Sequence, residues 1–330
     1  MAIALDALDL RLLGDWQRDF PLRSNPFAEI GKALGCTEAD VLQRLTRLAA
    51  AGAVSRVGAT IRPNTVGAST LAAVAVPDWR IEDVAGIVGA EPGVNHSYLR
   101  ENDWNIWFVA TGPDRAHVAA TLNRIEAATG LAVLDLPLVR PYHIDLGFAL
   151  DGTRQGPGDT RRADPAALRP GDRAVLQALS RGLAVVPQPF AALAGELGRG
   201  EAEILERIRT LAAAGIISRI GVIVRHRALG WSSNAMVVWQ VPEDDIGRAG
   251  VALAAAKGVT LCYQRRPDQR HWPFNLYCMI HAKSRDEALT TLGRAAAEAG
   301  IAGIPHRVLF SVRCFKQTGA MVVSGAEAAA

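Results

Sequence analysis

The chain repeats itself, and no other feature limits its architecture as much. Pro26-Phe27-Ala28 returns as Pro189-Phe190-Ala191, 163 residues later. At the same offset, Leu48-Ala-Ala-Ala-Gly52-Ala-Val-Ser-Arg56-Val-Gly58 matches Leu211-Ala-Ala-Ala-Gly215-Ile-Ile-Ser-Arg219-Ile-Gly221. Val76-Pro77 then recurs as Val241-Pro242, and Gly93-Val94, Tyr98 and Arg100 as Gly258-Val259, Tyr263 and Arg265. Four matches in order describe a duplicated unit, with small insertions in loops. Residues 151–171, rich in Gly, Pro, Arg and Asp, read as the linker between the copies.

Each copy divides again. Phe27, Ile30 and Leu34 recur at helical spacing, and Gly35 ends that helix. Thr37 caps a second helix carrying Val41, Leu42, Leu45 and Leu48, which stops at Gly52. The β-branched run Val54 to Ile61 then predicts a two-stranded wing, completing a winged helix-turn-helix. Strand (71–76), helix (81–90), strand (94–100), strand (104–110), helix (115–128) and strand (138–144) follow. This βαββαβ order is ferredoxin-like. The expected class is α+β, a tandem duplication in which each half is a winged helix-turn-helix followed by a ferredoxin-like domain. The boundaries fall at 1–66, 67–150, linker 151–171, 172–231, 232–320 and a tail at 321–330. A ferredoxin-like sheet carries helices on one face only, so its other face needs a ligand or a partner. The open sheets could pack against each other within one chain.

Charge and cysteine usage narrow the function. The 330 residues carry 36 cations and 33 acids, a net charge of +3 that is too weak to indicate nucleic acid. Residues 37–51 of the second helix are neutral and residues 200–214 of its copy carry −1, with Glu38, Asp40, Glu201, Glu203 and Glu206 toward their starts. A recognition helix would meet phosphates there, so the chemistry opposes DNA binding, and the acids suit the helix dipole. No apolar run reaches the roughly 18 residues that span a bilayer. The first residues lack the basic region of a signal peptide. Cys36, Cys262, Cys278 and Cys314 form no CxxC pair, which fits reduced thiols in the cytoplasm. The seven histidines show no metal-ligand spacing, so no metal site is expected.

Strand alternation sorts the remaining chemistry by face. His96, Tyr98 and Arg100 share one side of their strand, while Asn95, Ser97 and Leu99 share the other. Asn105 and Trp107 share a side of the next strand, and the second copy offers Tyr263 and Arg265, then Asn275, Tyr277 and His281. Rings interleaved with cations suit a flat, aromatic, polyanionic ligand. His143 could close the same pocket or cap the sheet edge. His226 and His306 stay ambiguous, and His117 reads as solvated.

These stretches resemble the siroheme decarboxylases, built on the Lrp/AsnC plan. The matching runs are Val94-Asn-His96-Ser-Tyr98-Leu-Arg100 with Asn105-Ile-Trp107-Phe108, then Cys262-Tyr263-Gln-Arg265-Arg266 and Trp272-Pro-Phe-Asn275-Leu-Tyr277-Cys-Met279-Ile-His281. Arg313-Cys-Phe315-Lys316-Gln317 also matches, so the resemblance spans about residues 20–318, in the half order of the fused NirDL type. It implies loss of carbon dioxide from two acetate arms of siroheme, giving 12,18-didecarboxysiroheme for d-type haem in denitrifiers. No cofactor is then required, since the macrocycle is the electron sink and the iron belongs to the substrate. His96 would be the general acid, with Tyr98 orienting substrate or relaying the proton.

Arg100 and Arg265 would hold carboxylates that stay on the ring, and the departing one would sit against Trp104 or Trp107. Asn105, His143, His226, Tyr263, His271, Asn275 and Lys316 complete the expected substrate contacts. One departure matters: the family commonly carries His where this chain has Leu261, in the position of His96. Either the first half alone is catalytic, which we favour, or His271 takes over. The implied partners are siroheme, a second copy or related pathway subunits, with no nucleic acid and no membrane. The competing classes are a ligand-responsive Lrp/AsnC-type regulator and a non-catalytic tetrapyrrole carrier. The near-neutral total hides a split, because residues 1–165 carry −4 and the rest +7. A basic second half suits the eight carboxylates of siroheme.

Overall fold

The computed structural model describes residues 3–144 and 163–323. The first half opens with a helix that sequence periodicity did not reveal, α1 (Ala7–Asp15), started by an Asp6/Asp9 capping box. Helix α2 (Pro26–Leu34) has Pro at its first turn and ends at Gly35 with φ +76°, and α3 (Glu38–Ala50) starts at a Thr37/Asp40 capping box. Strand β1 (Val54–Ile61) leads to β2 (Ala68–Val74), α4 (Ile81–Ala90), β3 (Val94–Arg100), β4 (Ile106–Gly112), α5 (Arg115–Thr129) and β5 (Val133–Ile144). The second half repeats the order: α6 (Asp172–Arg181), α7 (Pro189–Glu196), α8 (Glu201–Ala213), β6 (Ile217–Val224), β7 (Ser233–Trp239), α9 (Glu243–Ala255), β8 (Val259–Arg265), β9 (Leu276–Ala282), α10 (Arg285–Glu298) and β10 (His306–Gln317).

The wing differs from the expectation. Val54–Ile61 is one strand rather than two, and its antiparallel partner is β6 of the other half. Gly58 faces Gly221 in that ribbon, so residues equivalent under the repeat pair with each other. The pseudo-two-fold axis therefore passes between them. Both positions need glycine for closeness: a Cβ on Gly58 would lie 2.5 Å from the Leu179 carbonyl oxygen, and one on Gly221 2.3 Å from that of Gln17. The two helix sets also share one core, in which Phe20 meets Phe27 at 5.5 Å and Phe190 at 6.3 Å between ring centroids.

The ferredoxin-like sheets are likewise not left open. Strands β10-β3-β4-β2-β5-β8-β9-β7 form a closed barrel, which removes the sheet edges. Closure comes from the last strand of each half, twelve residues long where seven were expected in the first. The β10 strand pairs with β7 over 306–310 and crosses to β3 over 311–317. Likewise β5 pairs with β2 over 133–137 and with β8 beyond. The helices pack outside, and the interior holds Trp107, Trp272, Phe274, Tyr277, Met279 and Leu309.

Two segments are more built-in than their composition suggested. Of the expected linker, 151–162 lies outside the described residues, while Ala163, Ala167 and Leu168 pack on the winged-helix core. Of the expected tail, 324–330 lies outside them, but Val322 and Val323 are buried in the same core and the Val322 amide donates to Gln177 Oε1 at 2.8 Å. The chain end thus returns from the barrel to the winged helices. Among the described residues no helix is long and apolar enough to cross a membrane.

Candidate active site

Every step around the barrel is antiparallel, and β3 and β8 stand four steps apart, so they run in the same direction. The pseudo-dyad follows the barrel axis, and the β1–β6 ribbon lies on that axis. Arg56 of the ribbon lies beside His96 of the barrel and Arg219 beside His226, and the region they bound, here the chamber, has its chemistry arranged in layers along β3. In register with Trp107, Tyr98 stacks toward His96 at 6.4 Å between ring centroids, and the Arg100 guanidinium lies 5.5 Å from the Tyr98 ring. Arg100 Nη1 donates to the Leu309 carbonyl at 3.1 Å, and Arg265 Nη1 to the Leu136 carbonyl at 2.7 Å. The two are dyad mates, both are buried, and the Nε of each has no hydrogen-bond acceptor among the described residues.

The other wall beside β3 comes from the second half, because β10, β7 and β9 are its neighbours. Cys314 pairs in register with Tyr98. His226 and His281 lie with ring centroids 4.9 Å apart, and Thr260 Oγ1 is 2.8 Å from His281 Nδ1. Arg100 is within electrostatic reach of His281 and Arg227, which ties the histidine pair to the Tyr98 layer. The ribbon supplies Arg56 beside His96 and Arg219 beside His226. A cavity of about 480 Å³ opens onto this region, lined by Arg56, Gln177, Arg181, Arg225 and Gln317 among others.

Electrostatics follow from enclosure among cations. Burial first, and Arg56 second, push the His96 pKa down to about 4. Burial and then Arg219 bring His226 down to about 4 as well. Burial, with His226 and Arg100, holds His281 well below its ordinary value. Burial raises the Tyr98 hydroxyl, helped by the Cys314 thiol, so it stays protonated. Arg219 falls to about 9 through burial and the nearness of Arg18 and Arg56. The chamber is rich in guanidinium groups and holds neutral imidazoles.

Several expected residues stand elsewhere. Asn105 and Asn275 are structural: their amides donate to the Val76 and Val241 carbonyls at 2.7 and 2.8 Å and accept from the same residues' N–H groups at 3.0 and 2.9 Å. Backbone groups freed where a strand ends take up the whole side chain. Lys316 turns out of the chamber and donates to the Gly89 and Glu91 carbonyls at 2.8 and 3.1 Å, completing the C-terminal end of α4. His271 is 57% exposed on the loop before β9, with Nδ1 3.4 Å from Asp268, and is not brought to Leu261. His143 is buried in register with Cys262 on β8. His117 is not fully solvated, since its ring covers Gly112.

Trp107 donates to the Trp104 carbonyl at 2.6 Å and meets Trp272 at 5.1 Å, forming an apolar layer beyond Tyr98. Tyr263 lies in the same layer, 6.0 Å from Tyr277 and beneath Arg265 at 4.7 Å. Sequence reading missed Arg56, Arg219, Arg225, Arg227 and Cys314 as site residues. The first two carried a signal, the Ser-Arg repeated in both copies, but it read only as evidence of duplication.

The helix-turn-helix cations are engaged internally. Arg44 bonds Asp6 and Asp9 at 2.6 and 2.8 Å, Arg47 bonds Asp9 at 2.5 Å, Arg207 bonds Asp172 at 2.6 Å, and Arg209 donates to the Leu22 carbonyl at 2.7 Å.

Residues 9–54 and 172–217 match the siroheme decarboxylase NirDL-like HTH domain, and 66–143 and 228–316 match the AsnC-like ligand binding domain. The chain is 59% identical over 320 residues to the siroheme decarboxylase NirDL subunit of Paracoccus denitrificans, covering 97% of this chain and 98% of that one. A single-half relative, the siroheme decarboxylase NirD subunit of Stutzerimonas stutzeri, is 49% identical over 146 residues, or 44% of this chain and 96% of the subunit. A crystal structure of the siroheme decarboxylase NirDL with an iron-uroporphyrin III analogue superposes with TM-score 0.63 at 27% identity, covering 92% of this chain and 90% of that one.

Proposed function

We infer the chemistry of this chain from its family: it belongs to the siroheme decarboxylases. It removes two acetate carboxylates of siroheme as carbon dioxide and yields 12,18-didecarboxysiroheme on the way to d-type haem. The observation that carries the site assignment is a chamber of arginines and histidines between ribbon and barrel, backed by an apolar aromatic layer.

In each turnover the bond from the acetate methylene to its carboxylate breaks, and the electron pair passes into the conjugated macrocycle. A proton then reaches the same carbon to make a methyl group. The macrocycle serves as electron sink, so no further organic cofactor is needed. His96 delivers the proton. Burial and Arg56 keep it neutral, and entry of anionic carboxylates offsets Arg56 and lets the imidazole take up a proton. Tyr98 orients the arm beside it. Arg100 and Arg265 hold carboxylates that stay, because a guanidinium on the departing one would stabilise the ground state. The leaving arm faces the apolar side, where Val109 is in register with His96 and Trp107 with Tyr98.

His226 and His281 line the same chamber from the second half. The chemistry is therefore composite, rather than one half reacting and the other holding. Among the described residues the four free cysteines suit a reducing cytoplasm. The engaged helix-turn-helix cations support a function without nucleic acid. A second copy or pathway subunits could associate with the chain.

Anaerobic incubation with siroheme should yield a product lighter by roughly 88 Da, two carbon dioxides, with the macrocycle taking the electrons. Bound siroheme of unchanged mass would make the protein a carrier instead.

A further inference from the structure

The β1–β6 ribbon belongs to the winged helix-turn-helix part of the fold, and it carries two arginines at equivalent positions of the repeat. Arg56 stands two residues before Gly58 and Arg219 two before Gly221, so the dyad relates them across its axis. Arg219 is buried and Arg56 half-buried at the cavity wall. Nε of Arg56, and Nε and Nη1 of Arg219, are enclosed without a hydrogen-bond acceptor among the described residues. None of the described residues brings a carboxylate to bear on either: burial alone acts on Arg56, and burial with Arg18 and Arg56 on Arg219. Enclosed guanidinium groups beside each other are costly unless an anion joins them. A cavity reaches Arg56 from outside, with Arg181 and Arg225 on its walls. On the barrel side, Arg56 is close to His96 and Arg219 to His226.

We propose that Arg56 and Arg219 bind peripheral carboxylates of the tetrapyrrole, making the inter-half ribbon one wall of the substrate site. This rests on the decarboxylase reading and extends it to the winged helices, which then hold substrate rather than a nucleic acid. Each guanidinium would accept one carboxylate that remains on the ring, through two N–H donors. Holding the macrocycle by its rim from the ribbon would also place its acetate arms against the His96 layer.

The test compares iron-uroporphyrin III, with eight carboxylates, and iron-protoporphyrin, with two, by anaerobic titration of the full chain. Wild type, Arg56→Gln, Arg219→Gln and the matching Lys variants are each measured with melting temperatures. Each Gln variant should weaken the octacarboxylate by about 10- to 100-fold, the range of a hydrogen bond to a charged group, and the dicarboxylate by less than about threefold. Lys should restore part of the loss, and the melting temperature should hold or rise as buried like charges separate. Unchanged octacarboxylate affinity would overturn the proposal. So would equal losses for both ligands, or a fall in melting temperature that accounts for them. Wild-type protein that fails to bind the octacarboxylate would instead overturn the site reading beneath it.

Discussion

Loading the chamber with a polycarboxylate should draw protons from solution. His96 and His226 are each held at about 4 by burial and then by a ribbon arginine, Arg56 or Arg219. The other ionisable groups around them are Tyr98 on β3, Cys314 on β10, His281 on β9, and Arg100, Arg225 and Arg227. Carboxylates reaching the arginines offset the second cause and return each imidazole toward its ordinary value of about 6.5. At pH 6 a histidine of pKa 4 is about 1% protonated and one of 6.5 about 75%, so each full return takes up about 0.75 proton. The bound value lies above the free one, so binding is favoured below about 6.5 and that advantage is lost as pH rises through it. For one histidine the affinity should fall by at most about tenfold between pH 5.5 and 7.5, the limit reached only if burial no longer holds the imidazole down. Anaerobic calorimetry of iron-uroporphyrin III at pH 6 in two buffers of different ionisation enthalpy reads the uptake directly. Protons released by the ligand's own carboxylates are common to wild type and His96→Gln, so their difference isolates His96. A difference of about 0.75 proton is expected for full return. Identical uptake in the two proteins would refute the coupling and, with it, His96 as the group that loads on binding.

The remaining expectations divide chemistry from support. His96→Ala should abolish decarboxylation while siroheme binding at pH 7.5 stays within about threefold, because the affinity gained from protonating His96 is lost by that pH; full turnover in the variant sinks its role. Arg100→Ala and Arg265→Ala should each weaken substrate binding by about 10- to 100-fold, measured by titration, and unchanged affinity in both would remove the clamp. Asn105→Ala should cost about 1–3 kcal/mol of stability in denaturant unfolding by orphaning the Val76 amide and carbonyl, with KM of the folded fraction unchanged. His271→Ala should leave kcat within about twofold, as expected for an exposed loop residue, and a large loss would restore it as the substitute for Leu261.

Much of this was legible in sequence because duplication and alternation are local signals. The offset between Gly58 and Gly221 revealed two copies, and period two along β3 put His96, Tyr98 and Arg100 on the chamber side. Long-range pairing was not legible. A strand such as Val54–Ile61 has the same pattern whether its partner is the next strand or one 163 residues away. That is why the wing was misread, and why Arg56 and Arg219 were missed. The polar residues misassigned as substrate contacts share one cause. A side chain near a strand or helix end can satisfy backbone groups, as Asn105, Asn275 and Lys316 do, and the residue type does not disclose that use.

Fusion matters most for what the dyad would otherwise forbid. In a two-chain dimer of identical subunits, the chambers flanking the axis must be the same. Here they differ at each level compared. Leu261 stands where the other chamber has His96, and Thr111 where it has His281, while Arg62-Pro-Asn-Thr-Val-Gly67 offers no histidine in the segment corresponding to His226. Tyr98 with Tyr263, and Arg100 with Arg265, are kept in both. The retained pairs lie near the axis and can hold opposite edges of a macrocycle of comparable symmetry. The diverged positions are those proposed above to handle protons. Thr111 shows what replaced the histidine: its hydroxyl donates to the Gly93 carbonyl at 3.0 Å and accepts from the Met321 amide at 2.9 Å, so that wall has become a brace for the returning chain end. With the roles proposed above, proton delivery would be confined to one side of a nearly symmetric grip, and an unsymmetrical substrate such as siroheme would present each acetate arm to that side in turn.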